Sequence, residues 1–312
     1  MARLQPKGPL FTAQERAILL APDRHTQTRK KLGDGQLLLV QVETSDQFWT
    51  NSSQRGHIIS LKSTLQQLVV FIQTFELFHE ENMIVLLAAG DTDSCILYAS
   101  EQLGSLLGWH QDTTLAAPDQ IIRSLEEWKP ADHKEGLEKP AVSATLSRAL
   151  CLLHKARATP ATNKLLPRIL CLHGSPDAAS QYIAIMNCIF SAQRNNVVLD
   201  TCMLGSDNSA FLQQAAHLSG GIYLQQGSPP VLLQTLLTIF ASSIHMRTFL
   251  RSPEQAGVDF RASCFCHKNL IDLGFVCSVC LSIFCQHQLE CPTCGTVYGS
   301  SAGPSTMRNT AH

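Results

Sequence analysis

Seven of the chain's twelve cysteines lie between residues 264 and 294. Two Cys-x-x-Cys turns, Cys277-Ser-Val-Cys280 and Cys291-Pro-Thr-Cys294, are separated by ten residues. A turn of this kind presents two sulfurs to one metal ion, and zinc takes four thiolate or imidazole ligands in a tetrahedron. The spacing therefore predicts a structural zinc site formed by these four cysteines, with no open position for catalysis.

The other ligand-type residues of this segment are enough for a second zinc site. They come as Cys264-Phe-Cys266-His267 and Cys285-Gln-His287. Ligand groups then alternate along the chain, the first with the third and the second with the fourth, as in RING-type cross-braced modules. The spacing leaves open whether His267 or His287 completes this site, and its irregularity also fits reduced cysteines without a metal.

The cysteine-rich module, residues 258–296, is about 40 residues long and cannot bury enough apolar surface to fold unaided. Zinc binding, worth roughly 10–16 kcal/mol in such modules, is expected to supply its folding free energy. Its apolar side chains exceed what it can bury, so some are expected to pack against the first domain or a partner. They are Phe265, Leu270, Ile271, Phe275, Val276, Leu281, Ile283 and Phe284.

The other five cysteines lie singly in apolar surroundings, which is typical of buried free cysteines. They are Cys95, Cys151, Cys171, Cys188 and Cys202. Cysteines clustered in one segment of an intracellular chain indicate metal binding rather than disulfides.

Residues 36–250 alternate short apolar runs with longer stretches of helical periodicity. The predicted strands are 37–40, 83–88, 95–99, 169–172, 197–204 and 222–224, and the predicted helices are 58–80, one around 121–128, 142–157, 178–193, 208–218 and 231–245. Such alternation predicts an α/β fold with a doubly wound, mainly parallel six-stranded sheet covered by helices on both faces. An irregular insertion is expected at about 100–140, a flexible arm over 1–35 and a flexible tail over 297–312.

Motifs for nucleotide binding or hydrolysis are not found in this sequence. Gly33-Asp34-Gly35 precedes the first strand and lacks the third glycine of a dinucleotide fingerprint. Gly299-Ser-Ser-Ala-Gly303 matches the hydrolase elbow by letters alone, because no strand or helix flanks it. We therefore predict no catalytic and no cofactor-binding residues.

A polar loop after the first strand offers oxygen atoms to a cation. Ligands of such sheets bind outside the carboxyl ends of the strands. Glu43, Ser45 and Asp46 lie there, and Ser143 or Thr145 could join them from a later loop. Ordinary turn and helix-capping roles also explain these residue types, and we favour that interpretation.

The composition indicates a globular protein. Hydrophobic residues make up 45% of the chain, charged residues 16%, and the net charge is −1. This balance argues against wholesale disorder and against the strong basic field of a chain that grips nucleic acid by itself. No apolar run reaches the length of about 18 residues that a membrane span needs, so a soluble intracellular protein is expected.

Two runs in the cysteine-rich module resemble a known family. Asp-Phe-Arg-Ala-Ser-Cys-Phe-Cys-His-Lys-Asn-Leu-Ile at 259–271 and Gly-Phe-Val-Cys-Ser-Val-Cys-Leu-Ser-Ile-Phe-Cys at 274–285 closely resemble the smaller zinc-finger subunit of general transcription factor IIH, the Tfb4 family. Ala192-Gln193, Leu212-Gln-Gln-Ala215 and the run Ser219-Gly-Gly-Ile-Tyr-Leu224 are also similar to that family.

The resemblance covers about residues 36–295 and implies a von Willebrand factor A-like fold for the first domain. It further implies a non-enzymatic scaffold subunit in the nucleus, which holds the RING-bearing, von Willebrand A-like partner subunit. The complex opens DNA in transcription initiation and nucleotide excision repair, so this chain would contact DNA only indirectly. The adhesion motif of the fold, Asp-x-Ser-x-Ser, is here Glu43-x-Ser45-x-Gln47, with two of three ligands altered.

Two other classes of function remain as alternatives. The cross-brace spacing fits a RING-like ubiquitin ligase, and the polar loop at Glu43 fits a metal-dependent adhesion module. Direct DNA binding by the module is disfavoured, because Lys268 is the only lysine or arginine between residues 264 and 294.

Overall fold

The computed structural model describes Ala2–Arg3 and most of residues 35–298. The described ranges are 2–3, 35–54, 60–90, 93–109, 116–128, 142–178, 181–205, 207–225, 231–251, 253, 262–267, 270–279 and 282–298. The chain divides into two compact units, residues 21–259 and residues 1–20 together with 260–312. Most of the predicted arm 1–35 and most of the predicted tail 297–312 lie outside the described residues.

The larger unit contains a six-stranded sheet. Its strands, numbered after the two-residue strand β1 (Ala2–Arg3), are β2 (Gln36–Glu43), β3 (Met83–Ala89), β4 (Ser94–Ala99), β5 (Leu166–His173), β6 (Val198–Met203) and β7 (Tyr223–Gln225). The strand order is β4-β3-β2-β5-β6-β7. Only β4 is antiparallel to its neighbour, and every other pair is parallel. This confirms the predicted doubly wound, mainly parallel sheet.

Helices cover both faces of this sheet. They are α1 (Asp46–Gln54), α2 (Leu61–Phe78), α3 (Glu101–Leu107), α4 (Ala117–Glu127), α5 (Val142–Arg157), α6 (Tyr182–Arg194), α7 (Ala210–Ser219) and α8 (Leu232–Thr235), which continues as a π-helix over Leu236–Phe240; a short 3₁₀ turn follows at Met246–Thr248. The Ser60 and Ser209 hydroxyls cap α2 and α7 by accepting hydrogen bonds from backbone N–H groups.

Two apolar layers hold the helices on the sheet. One layer joins α3, α5, α6 and α7 to side chains such as Leu39 and Ile169. The other joins α2, α4 and the last helix to Leu38 and Leu170 on the opposite face. Strands β2 and β3 are buried along their whole length, because both faces are covered. This burial explains why the runs Leu37–Val40 in β2 and Met83–Ala89 in β3 are apolar without alternation.

Three elements differ from the sequence prediction. Helix α1 begins at Asp46, where a polar loop was expected, and α3 lies within the insertion expected to be irregular. The last helix was predicted over 231–245, but its regular turns end at Phe240. At this end of the helix, Arg168 donates hydrogen bonds to the carbonyl oxygens of Phe240 and Ser242, each at 3.0 Å.

A buried ion cluster ties the last helix to the sheet. Asp200 on β6 is fully buried and accepts from Arg168 at 2.7 Å and from Arg247 through two bonds of 2.8 Å. The backbone N–H of Ile222 donates to the same carboxylate at 2.9 Å. Burial raises the pKa of Asp200, but the two guanidinium charges and their hydrogen bonds outweigh it and lower the pKa to about 2. The carboxylate is therefore ionised and fully bonded.

The smaller unit is built from short strands. They are β8 (Ala262–Ser263), β9 (Leu270–Ile271), β10 (Phe275–Val276) and β11 (Ile283–Phe284). Strand β10 pairs with β11 and with β1, and β8 pairs with β9, all antiparallel. Its core consists of Cys277, Phe284, Cys291 and Tyr298. No more than four buried side chains form this described cluster, so the unit has little apolar core of its own.

The apolar residues of the smaller unit named above are mostly half-buried. Phe284 is buried, and Phe265, Ile271, Phe275, Val276 and Ile283 are half-buried. The side chains of Leu270 and Leu281 lie outside the described part. Large apolar side chains are instead exposed at Leu273, Val279, Leu289 and Val297.

The five single cysteines also differ from expectation at one position. Cys171, Cys188 and Cys202 are buried and Cys95 is half-buried, but Cys151 is exposed on α5. None of the helices in the described residues is long and apolar enough to span a membrane.

Candidate metal centres

Four predicted ligand residues converge in the smaller unit. The sulfur atoms of Cys264, Cys266 and Cys285 and a ring nitrogen of His267 all lie within 4.8 Å of one another. The Cys285 Sγ is 3.4 Å from the Cys266 Sγ and 3.1 Å from the His267 Nδ1. The Phe265 N–H donates to the Ile283 carbonyl at 2.8 Å, which brings the two segments together. We call these four residues the first ligand group.

Without a cation, the surroundings of Cys285 in the first ligand group disfavour its thiolate form. Hydrogen bonding to the Cys266 sulfur, followed by burial and the neighbouring sulfur charges, raises the pKa of Cys285 to about 11. A bound divalent cation reverses this balance, because a coordinated thiol loses its proton. The donor set of three sulfurs and one imidazole is complete for tetrahedral zinc.

The second ligand group contains Cys277, Cys291 and Cys294. Their sulfur atoms also lie within 4.8 Å of one another, and the Cys277 and Cys294 sulfurs are 3.8 Å apart. Cys277 and Cys291 are buried, whereas Cys294 is exposed. Cys280, the predicted fourth member, lies outside the described residues.

A tight turn presents two sulfurs of the second group. The Gly295 N–H donates to the Cys291 carbonyl at 2.8 Å, and the Cys291 N–H donates to the Thr296 carbonyl at 2.8 Å. Gly295 has a φ of 70°, a conformation that glycine adopts without steric strain. The turn therefore depends on glycine directly after the last cysteine.

His287 does not join either ligand group. Its ring packs edge-on against Phe275, with the ring centroids 5.7 Å apart. The structure thus places His267, and not His287, beside Cys285. Ligands at 264–267 and 285 interleave along the chain with ligands at 277 and 291–294, which is the arrangement of a cross-brace.

A buried hydroxyl supports the fit of the second group to a metal. Tyr298 is 8% exposed, and within the described part of the chain its hydroxyl has no nitrogen or oxygen partner, only the sulfur atoms of Cys277 and Cys291 beside it. Burial, and next the sulfur atoms of Cys277 and Cys291 beside it, raise the pKa of this phenol. The hydroxyl therefore remains a protonated donor facing two sulfurs, which suits thiolate ligands that carry negative charge.

The polar loop at the carboxyl edge of the sheet is arranged differently. The Glu43 carboxylate is buried and accepts from the backbone N–H groups of Gly174 at 2.7 Å and Ser175 at 3.0 Å. The Ser175 hydroxyl donates to its other oxygen, and the His173 Nδ1 lies at 2.8 Å. Burial raises the pKa of Glu43, but His173 and the hydrogen bonds outweigh it and lower the pKa.

The space beside this carboxylate is filled. A Cβ atom added at Gly174 would collide with the Phe48 ring, so that ring packs directly on the backbone after β5. The Trp49 side chain donates to the Glu43 carbonyl at 3.0 Å. Protein donors thus already occupy the Glu43 carboxylate, which disfavours it as a cation ligand. The Ser45 hydroxyl is buried and has no hydrogen-bond partner among the described residues, so it caps no helix there.

Comparison with known proteins assigns the family. A family model described as Transcription factor Tfb4 matches residues 35–295. The chain belongs to the Tfb4 family. Relatives include "General transcription and DNA repair factor IIH subunit TFB4" of Arabidopsis thaliana, 39% identical over 279 residues, 86% of this chain and 90% of that protein. "General transcription and DNA repair factor IIH subunit tfb4" of Schizosaccharomyces pombe is 35% identical, over 84% of this chain and 88% of that protein.

A solved structure supports the fold of the larger unit. The N-terminal domain of TFIIH p34 superimposes with a TM-score of 0.53 at 22% identity, over 65% of this chain and 96% of that domain. At this identity the similarity concerns the fold alone. The larger unit of this Tfb4 family member has the expected von Willebrand factor A-like architecture.

Sequence reasoning missed two residues at the second ligand group. Tyr298 and Thr296 follow the last cysteine, and the Thr296 Oγ1 is 3.0 Å from the Cys294 Sγ. Both positions lie beyond residue 295, where the Tfb4 family match ends. The sequence did contain a pattern that could have indicated them: a hydroxyl residue two positions after Cys294 and an aromatic residue four positions after it.

Proposed function

We propose that this Tfb4 family protein is a non-enzymatic structural subunit of the transcription factor IIH core complex. It acts in the nucleus, in transcription initiation by RNA polymerase II and in nucleotide excision repair. Its relatives in Arabidopsis thaliana and Schizosaccharomyces pombe are named as subunits of the general transcription and DNA repair factor IIH. Its principal partner is the RING-bearing, von Willebrand A-like subunit, and DNA is reached through other subunits.

The observation that carries this proposal is the extent of the family match. Residues 35–295 include the six-stranded sheet and both ligand groups. The similarity to the relatives thus concerns both units and not a single common fold. Because the match spans both units, we expect both of them to contribute to the role of this chain as a subunit of an assembly.

Each ligand group is proposed to hold one structural Zn²⁺. Cys264, Cys266, His267 and Cys285 form one closed site, and Cys280 completes the other with the second ligand group. The grouping of His267, and not His287, with the three sulfurs of the first ligand group supports this choice of ligands. Because protein atoms fill every position, zinc supplies folding free energy and does no chemistry.

The arrangement of the larger unit supports a role without catalysis. The buried carboxylates of Glu43 and Asp200 are bonded to protein donors, so neither is free to act as a base. The Phe48 ring, next to the loop that carries the adhesion motif in related folds, packs on the backbone at Gly174. The sheet therefore serves as a rigid body whose surface is available to partner subunits.

Co-purification with the partner subunit tests the proposal. The full chain is tagged and co-expressed with the RING-bearing subunit, and the recovered partner is quantified for wild type, Cys285→Ser and Cys291→Ser. We expect equimolar recovery with wild type and reduced recovery with both variants. Cys151→Ser is the matched control, because Cys151 is exposed and lies outside both groups. Absence of partner recovery with soluble, zinc-loaded wild type would refute the proposal.

A RING-like ubiquitin ligase remains the alternative, favoured by the interleaved ligand groups. The purified chain is incubated with ubiquitin, an activating enzyme and a panel of conjugating enzymes. We expect no ubiquitin chains above the level seen with Cys291→Ser. Chain formation that depends on Cys291 would replace the non-enzymatic role with a ligase.

A further inference from the structure

A buried hydroxyl is unfavourable unless it makes a hydrogen bond. Among the described residues, the Tyr298 hydroxyl has no nitrogen or oxygen partner and only the sulfur atoms of Cys277 and Cys291 beside it, although the side chain is only 8% exposed. It belongs to the cluster that also contains Cys277 and Cys291. Phenylalanine would fill the same space without burying a polar atom, so packing alone does not account for tyrosine.

The backbone fixes this tyrosine beside the sulfurs. The Tyr298 N–H donates to the Leu289 carbonyl at 2.9 Å, and residues Glu290 and Val297 form an antiparallel bridge. Together with the bond from Cys291 to Thr296, these contacts fold residues 296–298 back along residues 289–291. The position of Tyr298 is therefore set by the same turn that presents Cys291 and Cys294.

Metal-bound thiolates keep lone pairs that accept hydrogen bonds, and such bonds orient the ligand and tune the metal. We propose that Tyr298 is a positioning residue of the second metal site, donating its hydroxyl hydrogen to a Cys277 or Cys291 thiolate. Thr296 has the same role at Cys294, where oxygen and sulfur are 3.0 Å apart. This inference rests on the zinc binding in the proposed function.

The two roles differ in exposure, which sets their expected strengths. Cys294 is exposed, so water competes with Thr296 for its thiolate. Cys277 and Cys291 are buried, so Tyr298 has no such competitor. The first ligand group should be unaffected, since the Cys285 sulfur contacts Cys266 and His267 instead.

Metal retention by the full chain tests this inference. Wild type and Tyr298→Phe are loaded with zinc and titrated with a chromogenic chelator, and the same proteins are loaded with cobalt for absorption spectroscopy. We expect one of the two metals to be released at roughly 10–100-fold lower chelator strength in Tyr298→Phe, and the other to be unchanged. The sulfur-to-cobalt charge-transfer band should shift for the weakened site only.

Control variants separate a hydrogen bond from general damage. Tyr98→Phe removes a hydroxyl that contacts Glu76 in the larger unit, and both metals should be retained as in wild type. Thr296→Val should weaken the same metal by a smaller factor, and Thr296→Ser should restore it.

Three results would decide against the inference. Identical chelator curves and spectra for wild type and Tyr298→Phe would overturn it, as would equal weakening of both metals. If Tyr298→Phe does not fold, identical curves for Thr296→Val and Thr296→Ser would overturn it. Wild type that retains no metal would instead refute the proposed zinc sites themselves.

Discussion

Two regions of this molecule collect residue types that bind metals, and they differ in what their polar atoms contact. At the carboxyl edge of the sheet, the Glu43 carboxylate is bonded to His173, Gly174 and Ser175. In the smaller unit, the ligand atoms of each cysteine-rich group lie within 4.8 Å of one another. Residue type alone therefore does not mark a metal site, and the other donors around each ligand atom decide.

The two units also differ in the interactions that stabilise them. The larger unit has two extensive apolar layers and a buried ion cluster at Asp200. The smaller unit has a described core of four side chains, two of them candidate metal ligands. The larger unit should thus be stable without metal, and the smaller unit should not.

Metal removal should produce the largest effect. A strong zinc chelator should unfold residues 262–298, because zinc contributes roughly 10–16 kcal/mol to modules of this kind. Hydrogen exchange read by mass spectrometry should show lost protection there and unchanged protection in β2, β3 and β5. All three tryptophans, Trp49, Trp109 and Trp128, lie in the larger unit, so tryptophan fluorescence should not change. Unchanged protection of residues 262–298 after metal removal would contradict the claim that the smaller unit depends on zinc for its stability.

The buried ion cluster should give the next largest effect. Asp200→Asn removes a charge that compensates Arg168 and Arg247, and should lower the free energy of unfolding by about 3–5 kcal/mol. Urea unfolding followed by tryptophan fluorescence measures it. The control is Arg123→Ala, which breaks an exposed pair with Glu127 and should cost about 0.3–0.5 kcal/mol. Equal effects of the two variants would contradict the role given to the cluster.

Replacement of Glu43 separates a structural carboxylate from a cation ligand. Glu43→Gln should lower the free energy of unfolding by about 2–3 kcal/mol, because an amide replaces an acceptor that receives charge-assisted bonds. Magnesium should leave the melting temperature of wild type unchanged. If magnesium raised the melting temperature of wild type but not that of Glu43→Gln, Glu43 would be a cation ligand and the adhesion-module interpretation would hold.

Acid should weaken the larger unit by a smaller and gradual amount. Folding lowers the pKa of Glu43 from 4.5 and that of Asp200 from 3.8 to about 2. Their contribution is therefore complete above these unfolded-state values and is lost as the pH falls below them. Tryptophan fluorescence in urea should show that the contribution of these two carboxylates to the free energy of unfolding begins to fall at about pH 5.5 and declines further as the pH is lowered. Glu43→Gln should reduce the slope of this decline, and an unchanged slope would refute the assignment.

Much of the fold follows from local sequence pattern. Helix α5 occupies the predicted range 142–157, and the six predicted strands all form. Helix α1 was missed because its polar residues have no apolar period, and its Trp49 is anchored by the Glu43 carbonyl. The last helix ends early where Arg168, 72 residues away, donates to the Phe240 carbonyl, and no local pattern carries that contact.

The metal centres were predictable in part, for a physical reason. Cysteine spacing limits which sulfurs can meet, so both ligand groups follow from the sequence. The spacing leaves His267 and His287 equivalent, whereas the structure groups His267 with the sulfurs and sets the His287 ring edge-on against Phe275. Tyr298 depends on the reverse turn at Gly295, which returns the chain beside Cys291. Both outcomes need three-dimensional packing, which spacing does not contain.

The zinc content of the purified chain tests the central claim most directly. Elemental analysis of wild type should give two zinc ions per chain, and Cys285→Ser and Cys291→Ser should each lose one. Each variant should lose the ion of a different site, so the double variant should bind no zinc. A single zinc, or none, in folded wild type would contradict the cross-braced module.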